Sequence, residues 1–256
     1  MSAEACTELV RRADPDRWRA AMAATGEKRD GLMALYAFNL EIARAPWVAS
    51  DPLLAQIRLQ WWKDAIDEIY AGAPPRRHEV VEPLSNAILA AGLPRHLMDE
   101  TIDARIFDAD AAPFKDAAAL QVHVDRTAGH IMVLAAHLLG ANEAATGVIR
   151  SYAQGIGLAA FVQALPDYAA RRRAPLPSDV KAPALLDLAA NKIAAARSSR
   201  AAVPRDLLPA LLPGVIPALR LKRARAARNP MNWRASELSE FERRAWFTWA
   251  AVTGRW

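Results

Sequence analysis

Apolar residues recur every three or four positions through most of this chain, and two-residue alternation is almost absent, so the pattern predicts helices nearly throughout. Leu32, Leu35, Tyr36, Phe38 and Ile42 mark a first core helix over Lys28–Ala45. Pro46 is expected to stop or kink it, because the ring removes a donor and clashes with the preceding turn. A second helix, Asp51–Tyr70, follows, with Ser50 as N-cap and Pro52 in the first turn. Its expected buried stripe is Leu54, Ile57, Trp61, Ala65 and Ile69. Before these lies a short helix, Asp16–Ala24, capped by Asp14 or Asp16. After them, Gly and two prolines make Ala71–His78 a loop. Glu79–Ala91 and Pro94–Phe107 read as helices, and Asp108–Pro113 as a connector. Lys115–Leu139 and Asn142–Arg171 are long and mostly apolar, which predicts central helices. Pro183–Arg197, Arg205–Leu212, Val215–Arg228 and Ser236–Gly254 complete the chain, the last with Ser239 and Glu242 as a capping box. The expected architecture is all-α: one domain over 1–256, with about ten helices around a central cavity or core.

Composition narrows the function classes. The single cysteine, Cys6, is expected in a frayed N-terminus and excludes an intramolecular disulfide, which suggests a reducing compartment. The net charge is +5 and the sequence pI about 9.6. An anionic membrane surface or a diphosphate ligand can use that charge. An Arg-rich proteome accounts for most of it, and no nucleic-acid partner is expected. The first residues carry no apolar signal core, and the uncharged runs 127–142 and 151–166 fall short of a membrane span. A cytoplasmic protein is expected, with peripheral contact to the inner membrane as a further option.

Several stretches resemble the squalene/phytoene synthase family. They are LYAFN-x-E-x-A-R from Leu35, R-L-x-W-W-K-D from Arg58, AQGI from Ala153, and the run from Ala164 through Arg171-Arg172 to Leu176-Pro177. The resemblance covers 28–180, and residues 183–256 share it loosely through LLPALLP. It implies an isoprenoid-synthase-like helical bundle. In that family two carboxylates four residues apart follow the LYAF-like helix, and Mg²⁺ ions bridge them to a prenyl diphosphate. Counting from Tyr36, those positions fall near Ala43 and Trp47. In the second motif region, Ala160, Ala164 and Pro166 stand where acids are expected, and Asp167 is the acid that remains. The chain therefore resembles the aspartate-depleted branch that includes the mitochondrial complex I assembly factor of phytoene-synthase type. The implied function is non-catalytic, with no cofactor: binding an apolar, isoprenoid-like ligand, or a protein partner in the manner of an assembly factor. The alternative is an active Mg²⁺-dependent prenyltransferase condensing two prenyl diphosphates.

That alternative needs other ligands, because Mg²⁺ takes hard oxygens in near-octahedral geometry. Asp64 with Glu68, and Asp99 with Asp103, have the i,i+4 spacing that shares one helix face. The competing reading is a solvated face paired with Lys63 and Arg105. His123, His130 and His137 recur every seventh residue, about 10 Å apart along a helix, too far for one ion. Packing or surface roles suit them better. The candidate pocket comprises Tyr36, Phe38, Trp61, Arg126, Gly129, Gln154, Gln163, Arg172 and Arg173. Arg172 and Arg173 either hold an anionic head at the cavity mouth or form a solvated helix end. One of Trp61 and Trp62 should be core and the other near a groove. Small residues at Gly129, Ala135, Gly155, Gly157, Ala159 and Ala160 leave room for a chain, unless Trp47, Trp61 and Phe161 fill it.

Overall fold

The computed structural model describes residues 3–48, 51–110, 112–226 and 237–256. Every regular element among them is helical. In order these are α1 (Ala3–Ala13), α2 (Pro15–Met22), α3 (Gly26–Val48), α4 (Pro52–Tyr70), α5 (Val81–Ala91) and α6 (Arg95–Ala109). Then come α7 (Ala117–Val124), a π turn (Asp125–Gly129), α8 (His130–Leu139), α9 (Glu143–Ala170) and α10 (Ala182–Ser198). The chain closes with α11 (Leu208–Leu211), α12 (Val215–Ala226) and α13 (Glu240–Thr253).

Local chemistry sets many of the ends. Orphan amides of a first turn need acceptors, and Asp14, Asp51, Asp116 and Asn142 supply them to Arg17, Leu53, Ala119 and Ala145. Ser239 and Glu242 form the expected capping box of α13. Gly92, Gly140 and Gly254 close α5, α8 and α13 in the left-handed conformation that glycine adopts at low cost. Helix α3 is the hub. It packs against α1, α4, α5, α6 and α8, and Leu32–Phe38 is buried without a break. Helix α9 packs along α10 and against the π turn. Phe38 meets Trp62 edge to face at 5.2 Å, a pairing that adds about 0.5–1.5 kcal/mol beyond area burial.

Several expectations need correction. Residues 3–13 form a helix packed on α3 rather than a frayed end, and Cys6 is fully buried. Burial raises its thiol pKa to about 11, so the thiolate is suppressed. Pro46 lies inside α3, which runs on to Val48; in the last turn it removes one hydrogen bond without interrupting the body. The stripe on α4 is shifted: Ala55, Leu59, Trp62, Ala65, Ile66 and Ile69 are buried, whereas Leu54 and Ile57 face solvent beside Leu53. The expected connector is helical up to Ala109. The long 115–139 helix exists but is interrupted by the π turn. The proposed Ser50 cap, and the assignments at Arg228 and Ser236, lie outside the described residues.

Candidate functional site

A central cavity of about 200 Å³ lies between α3, α8 and α9, closed on one side by Ala210, Pro213 and Pro217. Helical periodicity builds it. Ala153, Ile156, Gly157 and Ala160 lie on one face of α9, and Ala128, Ile131 and Met132 line the opposite wall. Small side chains there leave a gap where Leu or Phe would fill it. A Cβ at Gly157 would stand 2.7 Å from Ala128 Cβ and from Val124 Cγ1, so glycine also permits the close approach of α9 to the π turn.

Tyr36 projects from α3 into this space, buried, and its hydroxyl has no hydrogen-bond partner. Burial pushes the phenol pKa up, opposed by the Arg17 guanidinium 5.5 Å from its ring. Asp14 and Asp16 stand at the same end. Asp14 caps α2 and bonds Arg17 at 2.9 Å, and Asp16 bonds Arg19 at 3.1 Å and also Arg243. Burial still raises the Asp16 pKa, against the pull of Arg243. Two carboxylates already claimed by guanidinium groups do not fit a Mg²⁺ cluster, which needs oxygens free to face a diphosphate. Among the described residues, no three His, Cys, Asp or Glu side chains converge on a metal position.

The other acidic candidates lie elsewhere. Glu68 bonds Arg76 at 2.7 Å and Asp64 approaches it at 4.0 Å; Asp99 bonds Arg95 at 3.1 Å and Asp103 bonds Lys63 at 2.7 Å. None of the four lines the central cavity. Of the remaining pocket candidates, Phe38 is core, and Trp61 lies beneath Arg76 at 5.1 Å and beside His78 at 5.2 Å. Trp62 is the buried member of the pair. Gly129 is buried in the π turn, where a Cβ would collide with the Asp125 carboxylate. Gln163 is half-buried on α9 and borders no part of the cavity. Arg126 and Gln154 line a different cavity, on the far side of the π turn.

The ends of α3 and α9 do meet. Trp47 packs against Tyr168 at 4.8 Å, with the guanidinium groups of Arg171 and Arg173 at 4.7 and 5.3 Å from its ring. Arg173 also donates to the Asp108 carbonyl at 2.8 Å, while Arg172 is exposed at φ 57°. Each cation–π contact is worth about 0.5–1 kcal/mol where exposed. An aromatic ring and two cations thus join these two ends. Trp47 does not fill the central cavity; its ring turns to Tyr168. Val48, Leu53, Leu54 and Ile57 add exposed apolar surface along the same part of the chain.

Comparison with known proteins bears on these features. The sequence model of squalene/phytoene synthase matches residues 10–183. NADH dehydrogenase (ubiquinone) complex I, assembly factor 6, from Bos taurus is 27% identical over 176 residues, covering 68% of this chain and 53% of the relative. The Homo sapiens protein of that name is 25% identical over the same span and coverage. The chain thus spans about half the length of these relatives. A dehydrosqualene synthase solved with a ligand superposes with a TM-score of 0.82 at 13% identity, covering 99% of this chain and 96% of the other. The squalene synthase HpnC from Alicyclobacillus acidocaldarius gives 0.63 at 14% identity, over 98% and 94%. These structural likenesses establish the isoprenoid-synthase-type fold.

Proposed function

The chain belongs to the squalene/phytoene synthase family, and from that premise we propose that it is a non-catalytic member acting in the manner of the complex I assembly factors it resembles. One observation carries the reading. The end of α3, where the family resemblance calls for carboxylates, presents Trp47 packed against Arg171, Arg173 and Tyr168. A ring held by cations cannot chelate Mg²⁺, and without Lewis-acid pull a diphosphate is a poor leaving group. The similarity to assembly factor 6 supports the same view. No described helix is long and apolar enough to cross a membrane; the role proposed is cytoplasmic, with peripheral contact to the inner membrane.

Two readouts test this. Purified protein incubated with farnesyl or geranylgeranyl diphosphate and Mg²⁺ should release no pyrophosphate. Turnover abolished by EDTA and by Asp99→Asn would overturn the non-catalytic reading. Cells lacking the gene should accumulate less assembled NADH dehydrogenase; an unchanged level would remove the assembly reading.

A second reading rests on the cavity beside Tyr36. Space lined by small side chains suits retention of an apolar, prenyl-type chain without reaction. A protein can hold such a chain and still act as an assembly factor.

A further inference from the structure

The π turn divides two cavities. Ala128, Ile131 and Met132 face the central one; Asp125, Arg126 and His130 face a side cavity of about 440 Å³ between α6, α7, α9 and α10. Helix α9 is divided likewise, with Ala153 and Gly157 on the central side and Arg150 and Gln154 on the other. A π turn inserts one residue into a helix and re-aims the side chains that follow, and such turns are frequent at functional sites. Here its hydrogen bond runs from the His130 amide to the Asp125 carbonyl. Gly129 leaves the space into which the Asp125 carboxylate folds back.

The side cavity has a charge pattern its own contacts do not exhaust. Asp125 Oδ1 accepts from Gln154 at 2.8 Å, and Gln154 Oε1 accepts from Lys192 at 2.8 Å. Asp125 Oδ2 is approached at 3.8 Å by both His130 Nε2 and Arg150 Nη1, beyond hydrogen-bond reach. Glu100 Oε2 pairs with Arg126 Nε at 3.2 Å and also stands 3.8 Å from His130 Nε2. Two carboxylates thus flank one buried imidazole with a gap on each side. Arg150 Nε is buried with no acceptor. Gaps of this size between complementary groups can take a third polar species that bonds both. Burial lowers the His130 pKa, against the raising effect of Asp125 and Glu100. The volume falls within the usual range of about 300–1,000 Å³ for small-molecule sites, more than one bridging water needs.

We propose that this side cavity binds a small zwitterion, its ammonium end between Glu100 and Asp125 beside His130 and its acidic end held by Arg150 and Lys192. An ammonium supplies donors to both carboxylates that flank His130. A carboxylate or phosphate supplies the acceptor that Arg150 Nε lacks. A simple anion leaves the Glu100–His130–Asp125 gaps unbridged, and a simple amine adds no acceptor for Arg150, held only at 3.8 Å from Asp125, or for Lys192, bonded only to a neutral amide.

Calorimetric titration and thermal shift of the full chain test this, with β-alanine and phosphoethanolamine as zwitterions and inorganic phosphate and ethanolamine as their halves. At least one zwitterion should raise the Tm and bind more tightly than either half; which one distinguishes a carboxylate from a phosphate end. Lys192→Met and Glu100→Gln change half-exposed side chains and should leave the chain folded, with a cooperative melt and an unaltered circular dichroism spectrum. Each should weaken binding by about tenfold or more, the loss expected for one charge-assisted hydrogen bond. No shift with any probe, phosphate alone matching the zwitterions, or full affinity in both variants would overturn the proposal.

Discussion

At the scale of single residues, burial decides more than residue type. His123 and His130 lie seven positions apart and resemble one another in sequence, yet each has its own acid. His123 Nε2 stands 3.2 Å from Asp108, which also bonds Arg105 at 3.0 Å, and its ring packs on Phe114 at 4.8 Å. His130 faces Asp125 and Glu100. In both, burial lowers the pKa and outweighs the raising effect of the acid; burial also lowers that of His137. The unfolded chain, with histidines near pKa 6.5, then binds more protons than the native state at mildly acid pH. This stability is fully present above about pH 6.5 and is lost as pH falls below it. The urea midpoint should drop between pH 7.5 and 5.5, by at most one proton's worth of slope per histidine. Combined His123→Gln and His130→Gln should flatten that drop; an unchanged slope would refute the assignment. The lowered carboxyl pKa values of Glu68, Glu240 and Glu242 act in a separate window, below about pH 4.5.

At the scale of elements, small residues set how closely helices approach. Gly155 of α9 faces α10 so closely that a Cβ would stand 2.7 Å from Ile193 Cγ1 and 2.8 Å from the Ala189 carbonyl. A backbone oxygen cannot step aside, so Gly155→Ala should destabilise by about 1–3 kcal/mol, despite the helix propensity gained. Gly147, on the same helix, has open space around it. There the same change should stabilise by up to about 1 kcal/mol. Urea unfolding of the two variants checks the opposite signs; equal effects would mean that propensity, rather than packing, governs α9. Helix α4 illustrates the limit of periodicity. Leu53, Leu54 and Ile57 continue an apolar pattern but lie on its exposed face, because α3 and α6 cover the face carrying Leu59, Trp62 and Ile66.

At the scale of the whole molecule, the bundle keeps the family architecture, with Trp47, Arg171 and Arg173 packed together where the ends of α3 and α9 meet. The central cavity, about 200 Å³, is below the usual range for drug-sized ligands, so it suits one short apolar chain rather than two substrates side by side. A ligand that binds only the native state raises its melting temperature with concentration. Farnesyl diphosphate or the neutral alcohol farnesol should therefore raise the Tm. The alcohol alone should suffice if Tyr36 and the small-residue walls do the binding, since Arg171 and Arg173 are engaged on Trp47. Absence of a shift with either compound would leave a scaffold for protein contacts.

By itself the sequence determined the helical class, most helix limits, the capping box of Ser239 and Glu242, and the family; it left the first cap open between Asp14 and Asp16, and the structure gives Asp14. These follow from short-range rules: spacing of apolar residues, proline and glycine placement, and motifs whose order survives in one dimension. It also placed Trp62 or Trp61 in the core without deciding which, since adjacent residues on a helix differ only in what packs against them. Tertiary structure alone decided the rest. Cys6 is buried because α1 finds a groove on α3. Trp47 meets Arg171 and Arg173 across more than a hundred residues, and Lys192 reaches Asp125 through Gln154 from a helix with no motif of its own. The π turn too lies beyond sequence reading, because one wide hydrogen bond inside an apolar helix leaves its period almost unchanged. Contacts of this kind depend on which helices become neighbours, and neighbourhood is a property of the assembled core rather than of any stretch of the chain.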